Sequence, residues 1–407
     1  MSKKILTLLI SVFSSTLIVW SQSYIELIDK KNLELKKIIQ AEKNFYYVVG
    51  EFFKNDNKDL IIFKIDENNE IIWRKEINHK NTLVVNDVIL DTFNNNIVIA
   101  AEQYTNGNRE ALYALSFNKN GNKIFSNLYN ENGGEVEPYS LIADKSGYTF
   151  IGFTKIKNQI SNLFYPVYTE LQYGYMLKLN KNGEKLWSRI IKDNQDINSI
   201  TKIINFNNEE KILVAKGDSN IFYLLKYINE NQYLKYKISS NDQIFITDIS
   251  FSNNEILLSG IVRNNNKKDN YDLFTVLTNH DFEIKSSFKI KSFSNDLLNK
   301  SYNLGSSNFS VYGQTNFNNK KKIVELSFDQ NLDNILVKKF DYFSECLLYD
   351  AAYINNMMLG VGTIYDSHKK GVIYNFSEFE NMKNDFIFEN FNLQIDKIGL
   401  IKFESIE

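Results

Sequence analysis

Three histidines, His79, His280 and His368, and one cysteine, Cys346, are all that the chain offers for soft-metal ligation or nucleophile–base chemistry. That chemistry needs convergent His, Cys or carboxylate groups. The histidines stand far apart in turn-like contexts, as surface turn residues do. Cys346 lies in the apolar run "ECLLYDAAY" (345–353), where a thiol behaves as a small buried hydrophobe. No metalloprotease, nucleophile-elbow or phosphate-loop pattern occurs. "DENNE" (66–70) and "NKNGNK" (118–123) resemble calcium loops in composition but lack the acidic spacing and the terminal Glu of a bidentate ligand. The expectation is no catalytic residue, no metal and no cofactor.

Two insertions remain as recognition candidates. "KIKNQISNLFYPVYTELQYGY" (155–175) masses aromatic rings around Pro166. Tyr and Phe faces stack on sugars or peptides while phenol hydroxyls hydrogen-bond. Phe164, Tyr165, Tyr168 and Tyr173 are therefore the expected ligand-binding residues; the alternative is that the rings fold back as a lid. "YNENGGEVEPY" (129–139) carries Glu131, Glu135 and Glu137. It reads as a solvated acidic loop, with cation binding as the alternative.

The elements that would carry these loops repeat. In "YMLKLNKNGEKLW" (175–187), Tyr175, Leu177 and Leu179 alternate with Met176, Lys178 and Asn180, then an Asn/Gly turn leads into a second apolar-rich run. That is a β-hairpin with turn residues suited to positive φ. Degraded copies are anchored at Ile65, Phe117, Leu179, Tyr227, Leu277, Phe328 and Phe376, at spacings of 52, 62, 48, 50, 51 and 48 residues. Upstream of each hairpin stands an apolar run ending in a small residue: Gly50, Ala100, Gly152, Ala215, Gly260, Gly313 and Gly360. The small residue relieves crowding where sheets converge or marks a bulge. A further alternating run precedes it, as in "VNDVILD" (85–91) and "FITDISF" (245–251).

Four short strands per unit need on the order of 45–50 residues, which matches the spacing. A lone four-stranded sheet cannot bury two apolar faces; sheets stacked radially around an axis can. The fold expected is an all-β propeller of four-stranded antiparallel blades, seven in number, with eight as the alternative. "IGLIKFESIE" (398–407) and "YIELIDKKN" (24–32) are expected to pair and close the ring, which would make residues 366–397 partly an insertion.

Residues 1–23, with Lys3 and Lys4 ahead of an apolar stretch and "SQS" at its end, have the pattern of a secretory signal peptide; a single membrane anchor is the alternative. Residues 24–407 are then one propeller domain. Losing Lys3 and Lys4 takes the formal charge from −2 to −4, which gives no case for nucleic acid.

The phrase at 175–187 resembles the repeat of quinoprotein-like β-propellers and of the exported propeller repeat proteins of Bacteroidetes-type bacteria. The quinoprotein enzymes carry a tryptophan-docking motif in nearly every blade. Here only Trp73 and Trp187 stand outside the leader, and one cysteine permits no vicinal pair. The resemblance therefore implies the architecture and export, without a quinone cofactor. The function expected is a periplasmic or secreted, monomeric binding module for a protein or glycan of the envelope or extracellular space, reaching a membrane only through partners. The alternative is a propeller enzyme of lyase or glycoside hydrolase type, using carboxylates on the central face.

Overall fold

The computed structural model describes residues 24–26, 32–54, 57–131, 134–159, 168–191, 197–206, 210–218, 221–229, 231–263, 271–291, 296–305, 308–317, 320–331, 334–340, 345–355, 357–365, 369–381 and 386–405. They form a β-propeller of antiparallel meanders, each running from an inner to an outer strand. Among the described residues there are seven meanders. The inner strands are Leu33–Gln40, Thr82–Asp91, Val136–Asp144, Ile197–Asn205, Ile244–Ser252, Asp296–Gly305 and Glu345–Ile354.

Each blade is apolar on both faces because each face meets another blade. Tyr47, Val49 and Ile62 of the first blade pack with Leu83, Ile97 and Leu115 of the second. Val98 and Leu112 of the second pack with Phe150 and Leu177 of the third. The series continues around the axis to Leu35, Val48 and Phe63 of the first blade against Ile354, Val361 and Ile373 of the last. Removal of this apolar surface from water is the main stabilising term.

The hairpin phrase is explained by its turn. The first turn residue, Asp66, Asn118, Asn180 or Asn279, accepts through Oδ1 from the backbone N–H groups two and four positions on, at 2.8–3.0 Å. The aromatic that follows docks on the next blade's turn. Trp73 Nε1 donates to the Lys119 carbonyl at 3.1 Å. Phe125 rests on Gly183, where a Cβ would come within 2.5 Å of the ring and where φ is +82°. Only glycine satisfies both demands.

At five of the seven small residues crowding and bulging prove to be one event, whereas Ala100 and Gly360 pair with Asp87 and Ala351. A β-bulge interrupts every inner strand: between Leu35 and Lys37, Val85 and Asp87, Pro138 and Ser140, Ile200 and Lys202, Ile246 and Asp248, Leu298 and Lys300, and Leu348 and Asp350. Gly50, Gly152, Ala215, Gly260 and Gly313 each pair with the residue just before the extra one. The bulged strand presses its carbonyl onto them: a Cβ on Gly152 would lie 1.8 Å from the Glu137 oxygen.

Ring closure differs from expectation. Tyr24–Glu26 pairs with Lys369–Asn375 and supplies the outer strand of the last blade; it does not pair with the C-terminal tail. Residues 369–375 are that blade's regular third strand, and the chain leaves it through a 3₁₀ turn at Phe376–Glu378. The rest is a strap. Glu380–Asn381 pairs with the sixth blade, Ile387–Asn390 with the fifth, and Leu393–Ser405 with the fourth and third. The strap covers sheet edges that would otherwise expose unpaired backbone.

At the seam between first and last blades, Gln40 Nε2 donates to Asn355 Oδ1 at 3.3 Å and Asn355 N donates to Gln40 Oε1 at 3.0 Å. Glu34 of the first blade bonds Lys369 of the last and lies 2.6 Å from Lys36. Burial alone would raise the Glu34 carboxyl. The hydrogen bonds from Lys36 and Lys369, with the charges of Lys36 and Lys58, outweigh it and hold the pKa at about 2. A lowered carboxyl stabilises the fold above its unfolded value of 4.5, and that stability disappears as pH falls toward about 2. Glu34→Gln is therefore expected to flatten the loss of thermal stability across this window; an unchanged pH profile of melting would remove Glu34 from the seam's electrostatics.

Candidate functional site

The bulges converge on the axis. In each inner strand the residue after the extra one belongs to a ring: Lys37, Asp87, Ser140, Lys202, Asp248, Lys300 and Asp350. All seven line one axial cavity of about 600 Å³. Beyond the ring the lining is mixed, with Ile39, Ile89, Ile204 and Phe251 beside Gln40, Asn205 and Tyr353. A bulge re-aims a side chain and leaves its own backbone partly unpaired, and both effects appear here. Thr201 and Thr247, the extra residues of two strands, donate from Oγ1 to the Val214 and Ser259 carbonyls at 3.2 and 3.4 Å.

Each ring aspartate clamps the following blade. Asp350 Oδ2 accepts from the Ile38 N–H at 3.2 Å, Asp87 Oδ2 from Leu141 at 3.1 Å, and Asp248 Oδ2 from Ser301 at 2.8 Å. Lysines hold the same carboxylates: Lys37 lies 3.4 Å from Asp87, and Lys202 and Lys300 each lie 3.8 Å from Asp248. Burial pushes the Asp87 carboxyl up, but the charges of Lys37 and Lys202 and a bond from Ser140 bring it below the usual range. The Asp248 charge raises Lys300 far above an ordinary lysine against the effect of burial. At Lys202 burial prevails over Asp248 and the ammonium is weakened.

Of the four residues expected to bind a ligand, Tyr168 and Tyr173 lie among the described residues. Phe164 and Tyr165 lie outside the described residues, as do residues 1–23 and His368. The insertion lengthens a hairpin, pairing through Gln159 and Tyr168. Tyr168 is thus placed in a strand. Tyr173 is 8% exposed and belongs to the core between the second and third blades. The acidic segment is paired rather than solvated: Glu131 accepts from Tyr175 Oη and Lys185 Nζ, both at 2.8 Å, and Glu135 lies 2.8 Å from Lys155. His79 Nδ1 accepts from the Asn81 N–H at 3.2 Å, and His280 is exposed beside Asp281. Among the described residues no group of His, Cys, Asp and Glu has a metal-holding arrangement, and no helix is long and apolar enough to cross a membrane.

The ring had a signal in the chain. "Leu35-Lys36-Lys37-Ile38", "Val85-Asn86-Asp87-Val88", "Ile200-Thr201-Lys202-Ile203", "Ile246-Thr247-Asp248-Ile249" and "Leu348-Tyr349-Asp350-Ala351" share one form. An aliphatic residue, a polar residue, then Asp or Lys, then a small or aliphatic residue breaks strict alternation at the same point of each unit.

No protein-family profile and no curated protein matches the chain. Among solved structures it is similar to Sqt1 from Chaetomium thermophilum, at 10% identity over 87% of this chain and 96% of that one, TM-score 0.46. It is similar to the β-propeller domain of Nup133 from Vanderwaltozyma polyspora, at 11% identity over 86% and 99%, TM-score 0.40. A putative 6-phosphogluconolactonase from Bacteroides fragilis stands at 10% identity over 90% and 100%, TM-score 0.45. Likeness at this level reaches no further than the fold.

Asp248→Ala strands Lys202 and Lys300 and leaves the Ser301 N–H without its acceptor. It is expected to cost about 1–3 kcal/mol in denaturant unfolding, as for a buried N–H left without its acceptor. A loss below about 1 kcal/mol would mean that the ring contributes little to closure.

Proposed function

We propose that the protein is an exported, non-enzymatic binding module that receives a protein or glycan partner at the mouth of the axial cavity. The observation that supports this reading is the state of the ring carboxylates. Asp87 and Asp248 are each held by a lysine and by a backbone N–H of the next blade, and Asp350 by that of the first. A general acid must keep its proton at the working pH, which requires a raised pKa; Asp87 is displaced the other way. The cavity is of a size usual for ligand sites, and its ammonium groups and scattered apolar side chains suit a partner with acceptor atoms and some apolar surface. The leader pattern of residues 1–23 supports export to the periplasm or the cell exterior, and the chain is read as a monomer.

The enzymatic alternative draws on one observation, that three aspartates share one cavity. The two readings separate in one experiment. The purified protein is offered an array of glycans and defined envelope proteins, with product analysis of every retained ligand. The expected result is saturable retention without conversion, weakened at least tenfold in Lys300→Ala, with folding checked by thermal melting. Conversion of a retained glycan that Asp87→Asn abolishes would replace the binding reading with the enzymatic one.

A further inference from the structure

A second cavity, of about 310 Å³, lies at the lower seam of the third and fourth blades. Asp144, Ser146, Thr149, Lys178, Trp187, Lys211 and Tyr227 are among its lining residues. A docking contact made by the first blade has no counterpart there. In the first blade the docking pair is Lys64 and Trp73, partners across two strands. Both donate to the Lys119 carbonyl in the next blade's turn, at 3.5 and 3.1 Å. In the fourth blade Lys226 donates to the His280 carbonyl of the fifth at 3.0 Å. The third blade has the same pair, Lys178 opposite Trp187. The turn that should receive it is tighter: Asn229 pairs with Gln232, whereas in the first blade pairing stops at Ile65 and Ile71.

The donors have consequently changed partners or lost them. Lys178 turns to Asp144 of its own blade, with both carboxylate oxygens at 2.7 Å. Lys211 joins the same carboxylate at 3.2 Å. No hydrogen bond from the Trp187 indole N–H is found among the described residues, in contrast to that of Trp73. The Arg189 guanidinium lies 4.0 Å over the Trp187 ring. The place where a turn would sit thus holds an aromatic platform, an indole donor, two ammonium groups against one carboxylate, and the Ser146 and Thr149 hydroxyls.

We propose that this interblade cavity binds a single pyranose ring and favours an acidic sugar over a neutral one. A pyranose has an apolar face to lay on an indole and an edge of hydroxyls that accept from the indole and ammonium donors and donate to nearby oxygens. The excess of one ammonium over the carboxylates favours a sugar carboxylate. The site is separate from the axial cavity and does not depend on how that cavity is used.

The test titrates the full-length mature chain with D-glucuronate and with D-glucose, read by calorimetry and tryptophan fluorescence. Glucuronate is expected to bind saturably at about 1–10 mM and several-fold more tightly than glucose, with an advantage that shrinks at high salt. Trp187→Leu and Lys211→Ala should each weaken binding at least fivefold. Lys211 lines the cavity without belonging to the apolar cluster between the blades, so Lys211→Ala decides the matter if Trp187→Leu lowers folding yield. Absence of saturable binding by the folded protein, or binding that both variants retain, would overturn the site. Equal affinity for the two sugars would overturn the acidic preference.

Discussion

Strands that converge on a common axis leave little room for one another, and the extra residue in each inner strand is how this chain meets that constraint. The bulge raises local twist, tips one side chain toward the axis and frees backbone groups at the same point. It also drives a carbonyl onto the second strand, which leaves no room for a Cβ at Gly152, Gly260 and Gly313. Crowding, small residue and polar ring are one geometric event at five of the seven units.

What fills the axis follows from electrostatics. Charges near the centre lose hydration, and only pairing with good geometry offsets that loss. The ring alternates lysine and aspartate except at Ser140, and each aspartate also takes a backbone N–H from the following blade. The apolar clusters between blades supply the main cohesion; the ring tells each inner strand where to stop against its neighbour. In that role the carboxylates of Asp87, Asp248 and Asp350 spend their oxygens on the neighbouring blade.

The periphery answers a different problem. Outer strands expose edges, and the chain covers them with its own ends: Tyr24–Glu26 on the last blade, and the strap from Glu380 to Ser405 on the sixth through third. The strap adds core as well as pairing, since Phe386, Phe391 and Leu393 enter the clusters between blades. Where a repeated turn is shortened, at Asn229 and Gln232, the docking contact fails and a cavity opens beside Trp187.

By itself the chain determined the blades. Period-two alternation, Asn/Gly turns and the regular anchors Ile65, Phe117 and Leu179 are local properties, because a strand's buried face and a turn's dihedrals are written in adjacent residues. It also marked the small residues and offered crowding or a bulge as the reason, leaving the choice between them open. Tertiary structure alone decided the rest. Tyr173 looked like a recognition residue and is core, because lengthened strands carried it between two blades. The acidic loop acquired Lys185 and Tyr175 as partners from another part of the chain. The C-terminal tail had a strand's pattern but not its address. Above all, the axial ring joins residues about fifty positions apart, and their meeting depends on closure of the circle, a long-range event that no window of sequence contains.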